Sequence, residues 1–196
     1  MRASLLTLPG VAAFSRAAPI SCGAPLSTGT LWYGNAVHPS YDGQIGILEA
    51  YGNAELLAKY PNTNVQPHKV LVIPCNSTYL NASIPASKLY KSTPVILQLA
   101  DDTSNCLALE FLGSSDVFII KQACQYEEDD SVAVQFWTRT KKGLLFPTWE
   151  RKKAERWNLQ FNEYDTEEVI ANPPKCFEGQ TCQNGTHYSF LVKESS

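Results

Sequence analysis

Side chains able to do acid–base or nucleophilic chemistry are few and scattered along these 196 residues. The three histidines, His38, His68 and His187, lie far apart, each beside turn-forming or strand-edge residues. No Gly-x-Ser-x-Gly, His-Glu-x-x-His or Gly-rich phosphate loop occurs. Asp and Glu number 19, yet no spacing singles out a pair placed for glycoside hydrolysis. Glu127-Glu128-Asp129-Asp130 is a compact carboxylate run. Four such groups can hold Ca²⁺, but the alternating Asp pattern with its central Gly is missing. The run reads as a solvated loop. No catalytic residue, metal ligand or cofactor is expected.

Six cysteines form the other reactive set: Cys22, Cys75, Cys106, Cys124, Cys176 and Cys182. An even number in an exported chain fits disulfides, with about 15 connectivities open. If all six pair, none is left as a nucleophile. Three N-glycosylation sequons begin at Asn76, Asn81 and Asn184. Two of them follow Cys75 in Ser/Asn/Thr-rich sequence, read as an exposed loop. Arg2 and an apolar stretch precede the small residues Ser15, Ala17 and Ala18. Residues 1–17 therefore read as a signal peptide cut after Ala17, and the protein as secreted and extracellular. Its removal leaves 14 basic residues against 19 acidic, a net charge of −5. Such a chain has no electrostatic reason to seek nucleic acid. No run of 18 apolar residues is present, so no membrane span is expected.

The elements that must position these residues are mostly strands. Short apolar or alternating runs occur at 31–33, 45–48, 55–58, 70–73, 95–99, 106–111, 117–121, 132–137, 144–146, 157–161, 169–171 and 188–192. Gly, Pro, Asn, Asp or Ser fill most of the gaps, which predicts an all-β sandwich or barrel. Helical patterning is confined to two short candidates, residues 53–60 and 152–157. In the run 132–137, Val132, Val134 and Phe136 share one face, and Gln135 and Trp137 the other. That places cover on both faces, as near a barrel end. The twelve runs also fall into three groups of four, a weak internal repeat. Trp32, Tyr33, Tyr41, Tyr51, Tyr60 and Trp149 sit among polar turn residues. They would suit binding if exposed, and loop packing or core filling otherwise. Lys141-Lys142 and Arg151-Lys152-Lys153 read as flanks of a turn.

The second group carries Cys106-Leu107, the apolar run leading to Cys124, and Gln135-Phe136-Trp137. This ordered set resembles one repeat of the ricin B-type β-trefoil lectins. The resemblance covers about one third of the chain by motif and the rest by strand rhythm. It implies a single β-trefoil domain over residues 22–196, with about twelve short strands in three pseudo-repeats. Gln135 and Trp137 then have structural roles. It also implies a Cys106–Cys124 bridge, whose loop closure would contribute about 3 kcal/mol. Cys176 can pair with Cys182, leaving Cys22 for Cys75; alternatively Cys22 reaches the C-terminal segment. The family's sugar-contacting Asp and aromatic positions are occupied here by Ala108 and Gln122. The function expected is a secreted binding module for glycans. The alternative is a protease inhibitor or protein-binding trefoil using loops 75–92 and 176–182; a glycan-processing enzyme ranks third.

Overall fold

Alternation along the chain decides which residues turn inward. The computed structural model describes residues 19–35, 40–49, 55–61, 64–80, 92–110, 117–149, 155–156, 158–161, 168–172 and 188–194. Its first third holds β1 (Ser21–Cys22), β2 (Ser27–Asn35), β3 (Gly43–Glu49), β4 (Glu55–Tyr60), β5 (Val65–Gln66) and β6 (Lys69–Asn76). Next come β7 (Ser92–Leu99), β8 (Asn105–Leu109), β9 (Val117–Ala123), a 3-10 helix (Asp130–Gln135) and β10 (Phe136–Thr140). The last third holds β11 (Leu145–Trp149), β12 (Glu155–Arg156), β13 (Asn158–Phe161), β14 (Val169–Asn172) and β15 (Tyr188–Glu194). The protein is all-β, as its strand rhythm implies.

Six of these strands close a ring. β2 pairs with β6, β6 with β7, β7 with β10, β10 with β11, β11 with β15, and β15 returns to β2, all antiparallel. Closure removes the free sheet edges that an open sheet would expose. Three hairpins, β3–β4, β8–β9 and β13–β14, are added to this ring. They lean on β2, β7 and β15 respectively. They also meet one another: Leu56 pairs with Ile120, Ile170 with Phe118, and Ala58 bridges to Glu168. Followed through β3, β4, β9 and β8, the pairings trace a closed nine-strand antiparallel barrel with extra strands attached.

One apolar core is shared by ring and hairpins. Leu31, Val72, Leu97, Trp137 and Phe190 come from the ring; Ile47, Leu57, Leu107, Ile119 and Leu159 come from the hairpins. Trp137 joins both sets. Its indole N–H donates to the Leu107 carbonyl at 3.0 Å, and its ring stacks on Phe190 at 5.7 Å. A gap of 10 Å³ among Leu31, Ile47 and Leu107 is near the lower limit for one water. The interior is filled by side chains and offers no ligand chamber there.

Two local expectations are corrected. Residues 132–135 are not strand: they belong to the 3-10 helix, and β10 begins only at Phe136. Asp129 caps that helix by accepting from the Ser131 amide at 2.9 Å, which outweighs the β-branched run. The opposed faces survive where β10 starts. Trp137 enters the main core, and Phe136 joins a second cluster with Ile20, Cys75, Ile96, Cys106 and Val132. Of the two readings of residues 53–60, the strand run at 55–58 holds and the helical one does not: Glu55–Tyr60 is strand β4, paired along its length with β3. Leu57 and Ala58 are buried there, because tertiary pairing overrides a weak two-turn helical pattern. In the candidate at 152–157, residues 155–156 form β12; the others lie outside the described residues.

Replacing Trp137 with Ala removes a side chain that is 0% exposed and leaves a cavity between ring and hairpin. The expected cost is about 3–5 kcal/mol in urea unfolding, and Trp137→Phe should lose less because the ring contact with Phe190 is retained.

Candidate functional site

The seam where β15 closes on β2 carries an outward row of polar and aromatic side chains. Leu31 points into the core, so Thr30 and Trp32 on the same strand point out. Thr30 faces Lys193 and Trp32 faces Leu191 across the seam. The Trp32 N–H donates to the Thr30 hydroxyl at 2.9 Å. The Lys193 ammonium lies 4.5 Å from the Trp32 ring centre and 5.7 Å from that of Tyr41, within cation–π range. Tyr41, just before β3, meets Trp32 edge to face at 6.0 Å. Lys193 thus covers the Trp32 face, while Tyr41 remains 50% exposed.

Beside Tyr41 opens a cleft of 280 Å³. Its polar lining includes Arg139, Lys142, Ser27 and Glu194; Leu145 and Leu191 supply apolar wall. Arg139 lies on β10, opposite Leu145 of β11. A tight turn joins these strands. The Thr140 amide donates to the Leu144 carbonyl at 2.8 Å, and the Gly143 amide to the Thr140 carbonyl at 3.0 Å. The Leu144 amide donates to the Thr140 hydroxyl at 3.1 Å. Gly143 has φ of 81°, a left-handed geometry that glycine adopts without steric cost. This turn sets Lys142 beside Arg139. Among the described residues, nothing pairs with the charged ends of Arg139 and Lys142.

The acidic run lies elsewhere and is not a free solvated loop. Glu128 accepts from the Ser77 hydroxyl at 2.8 Å and from the Thr78 and Tyr79 amides at 2.8 and 2.9 Å. Burial pushes its carboxyl pKa up, but these donors more than offset that, and the net shift is downward. Asp129 caps the 3-10 helix, and Glu127 bridges to Pro19. The Glu128 and Asp129 carboxylates are thus engaged by separate backbone amides, those of Thr78 and Tyr79 and that of Ser131, where a Ca²⁺ loop would need them turned to a common centre. The segment after Cys75 is correspondingly less open than read: Ser77 is 2% exposed, while Thr78 is exposed. Asn76, the first sequon residue, ends β6 opposite Ser21.

Cys106 and Cys124 are joined, with Cα atoms 4.9 Å apart. Cys22 and Cys75 are joined as direct cross-strand partners of β1 and β6. Gln135 is buried, and its amide oxygen accepts from the Gln125 backbone N–H at 3.0 Å while its NH₂ donates to the Gln125 carbonyl. Ala108 is buried in β8 opposite Ile120, and Gln122 is partly buried opposite Cys106. No carboxylate and aromatic face occupy those two positions. Asn81, Asn184, Cys176, Cys182, residues 1–17, Tyr51, His38 and His187 lie outside the described residues. His68 is tied to Asp101 at 2.9 Å. Lys121 joins Glu55 at 2.9 Å to Asp102 at 3.7 Å, linking two hairpin regions.

Sequence reasoning located Tyr41, Trp32 and the Lys141-Lys142 turn, but not their assembly with Arg139, Lys193 and Glu194. Those three sit in ordinary alternating strand sequence, and only the ring brings them to one seam. No protein-family model matches the chain, and neither a curated protein nor a solved structure matches it.

The downward shift of Glu128 sets a pH dependence. A carboxyl held below its ordinary value of 4.5 stabilises the fold fully above that pH. The contribution is lost as pH falls through the folded-state value. Glu128→Gln should lower stability at pH 7 by about 1–2 kcal/mol after allowance for solvent screening, and flatten the decline below pH 4.5. Urea unfolding between pH 3 and 7 measures both effects.

Proposed function

We propose that this chain is a secreted β-trefoil binding module that holds a saccharide in the cleft beside Tyr41. The trefoil reading is supported by the strand order. The first and fourth strands of each group of four form the six-strand ring, and the second and third form a hairpin. Export is supported by the two disulfides. Among the described residues, no helix is long and apolar enough to cross a membrane.

The observation that carries the ligand reading is the half-exposed Tyr41 on the wall of a polar cleft. A pyranose presents a C–H face and a rim of hydroxyls. The C–H face stacks on an aromatic ring, and the hydroxyls need charged donors and acceptors. Tyr41 supplies the first; Arg139, Lys142 and Glu194 supply the second. The cleft volume suits one or two sugar rings, near the lower end of small-molecule sites. Among the described residues, Glu194 is the single carboxylate in the lining, whereas glycoside hydrolysis ordinarily uses two facing carboxyl groups. Binding is therefore favoured over turnover.

A glycan array probed with the full chain tests the reading, followed by titration calorimetry of the hits. Tyr41→Ala should weaken binding at least tenfold with little effect on unfolding. Absence of binding to every glycan at high protein concentration would overturn it.

A further inference from the structure

We infer that the cleft selects an acidic saccharide, one carrying a sulfate or a uronic carboxylate, through Arg139 and Lys142. The inference rests on the binding reading above and adds the charge class of the ligand.

Three observations converge on it. The first is an unpaired cation pair. Arg139 is a partly buried residue, and the exposed Lys142 lines the same cleft. Removing cationic surface from water without a counter-charge is unfavourable. Other cations of the fold have partners: Lys121 joins Glu55 and Asp102, and Lys193 rests on Trp32. At the cleft, the described residues supply no such partner.

The second is the contrast with the whole chain. The formal net charge is −3, yet among the described residues the cleft lining carries two cations against one carboxylate. With a screening length of about 8 Å at physiological ionic strength, an approaching anion senses this local balance more than the distant acidic surface.

The third is geometry. A guanidinium presents parallel N–H donors that match the oxygens of a carboxylate or sulfate. Arg139 is fixed on β10 by pairing to both β7 and β11. Lys142 is set by the Gly143 turn and contributes a movable point charge. Tyr41, on the same cleft, offers its ring to the sugar carrying the charge. A simple anion such as free phosphate would make no use of that ring.

The test compares matched charged and neutral ligands on the full chain by calorimetry. One pair is a sulfated heparin-type tetrasaccharide and its desulfated form. The other is a galacturonic acid trimer and its methyl ester. At least one charged member should bind about tenfold or more tightly than its neutral partner, with affinity falling as salt rises. Arg139→Gln and Lys142→Gln should each drive that ratio towards one. Lys141→Gln makes the same charge change one residue away, outside the lining, and should preserve the ratio. Lys142 is exposed in a turn, so its variant remains informative if Arg139→Gln unfolds. A ratio near one in the parent protein, or one unmoved by Lys142→Gln, overturns the inference while the binding reading stands. Failure of all four ligands and of the wider glycan array overturns both.

Discussion

The pairing of the last strand with the first long one is the contact on which the rest depends. Seven residue pairs, from Gly29–Glu194 to Asn35–Tyr188, join β2 to β15. They lie about 160 residues apart in sequence, so folding must meet a large loop-closure cost before this contact forms. Once formed, it converts an open sheet into a ring. Gly29 shows how closely the strands approach: a Cβ there would come within 2.1 Å of the Lys193 carbonyl oxygen. The same seam positions Phe190 under Trp137 and Lys193 over Trp32. Core and cleft are two sides of one closure.

A second organising unit runs from Cys124 to Trp137. The disulfide ties its start to β8. Gln135 then holds the backbone of Gln125, Asp129 caps the intervening helical turn, and Glu128 grips residues 77–79. The chain leaves this unit as β10 with Trp137 directed inward and Arg139 two residues on, at the cleft. A short polar network therefore sets the register of the strand that contributes to both core and candidate site. Buried polar groups of this kind stabilise only when their partners are present, and Gln135 satisfies both ends of its amide.

How much was legible follows from the period of each signal. Leu159 alternates with Asn158 and Gln160, while Leu31, Ile47 and Leu97 sit in short apolar runs, and all four enter the core. Val132–Val134 looked equally strand-like, yet a local cap and a buried Gln turned that stretch into a 3-10 helix. Propensity could not register this because the deciding partner, Gln125, acts through its backbone. The acidic run was legible as composition only. Its neighbours, Ser77 to Tyr79, lie about fifty positions away and arrive through β6.

Sequence alone determined the strand class, the rhythm of short runs, and the cysteine and sequon positions. These depend on local alternation, turn residues and covalent chemistry, all of which are written within a few positions of one another. Tertiary structure decided the ring, the Cys22–Cys75 partnership and the meeting of Tyr41, Arg139, Lys142 and Glu194. Each of these joins residues from distant strands, and no local signal encodes which strands become neighbours. That choice is made by the collective burial of one apolar core, with closure of β2 on β15 as its final condition.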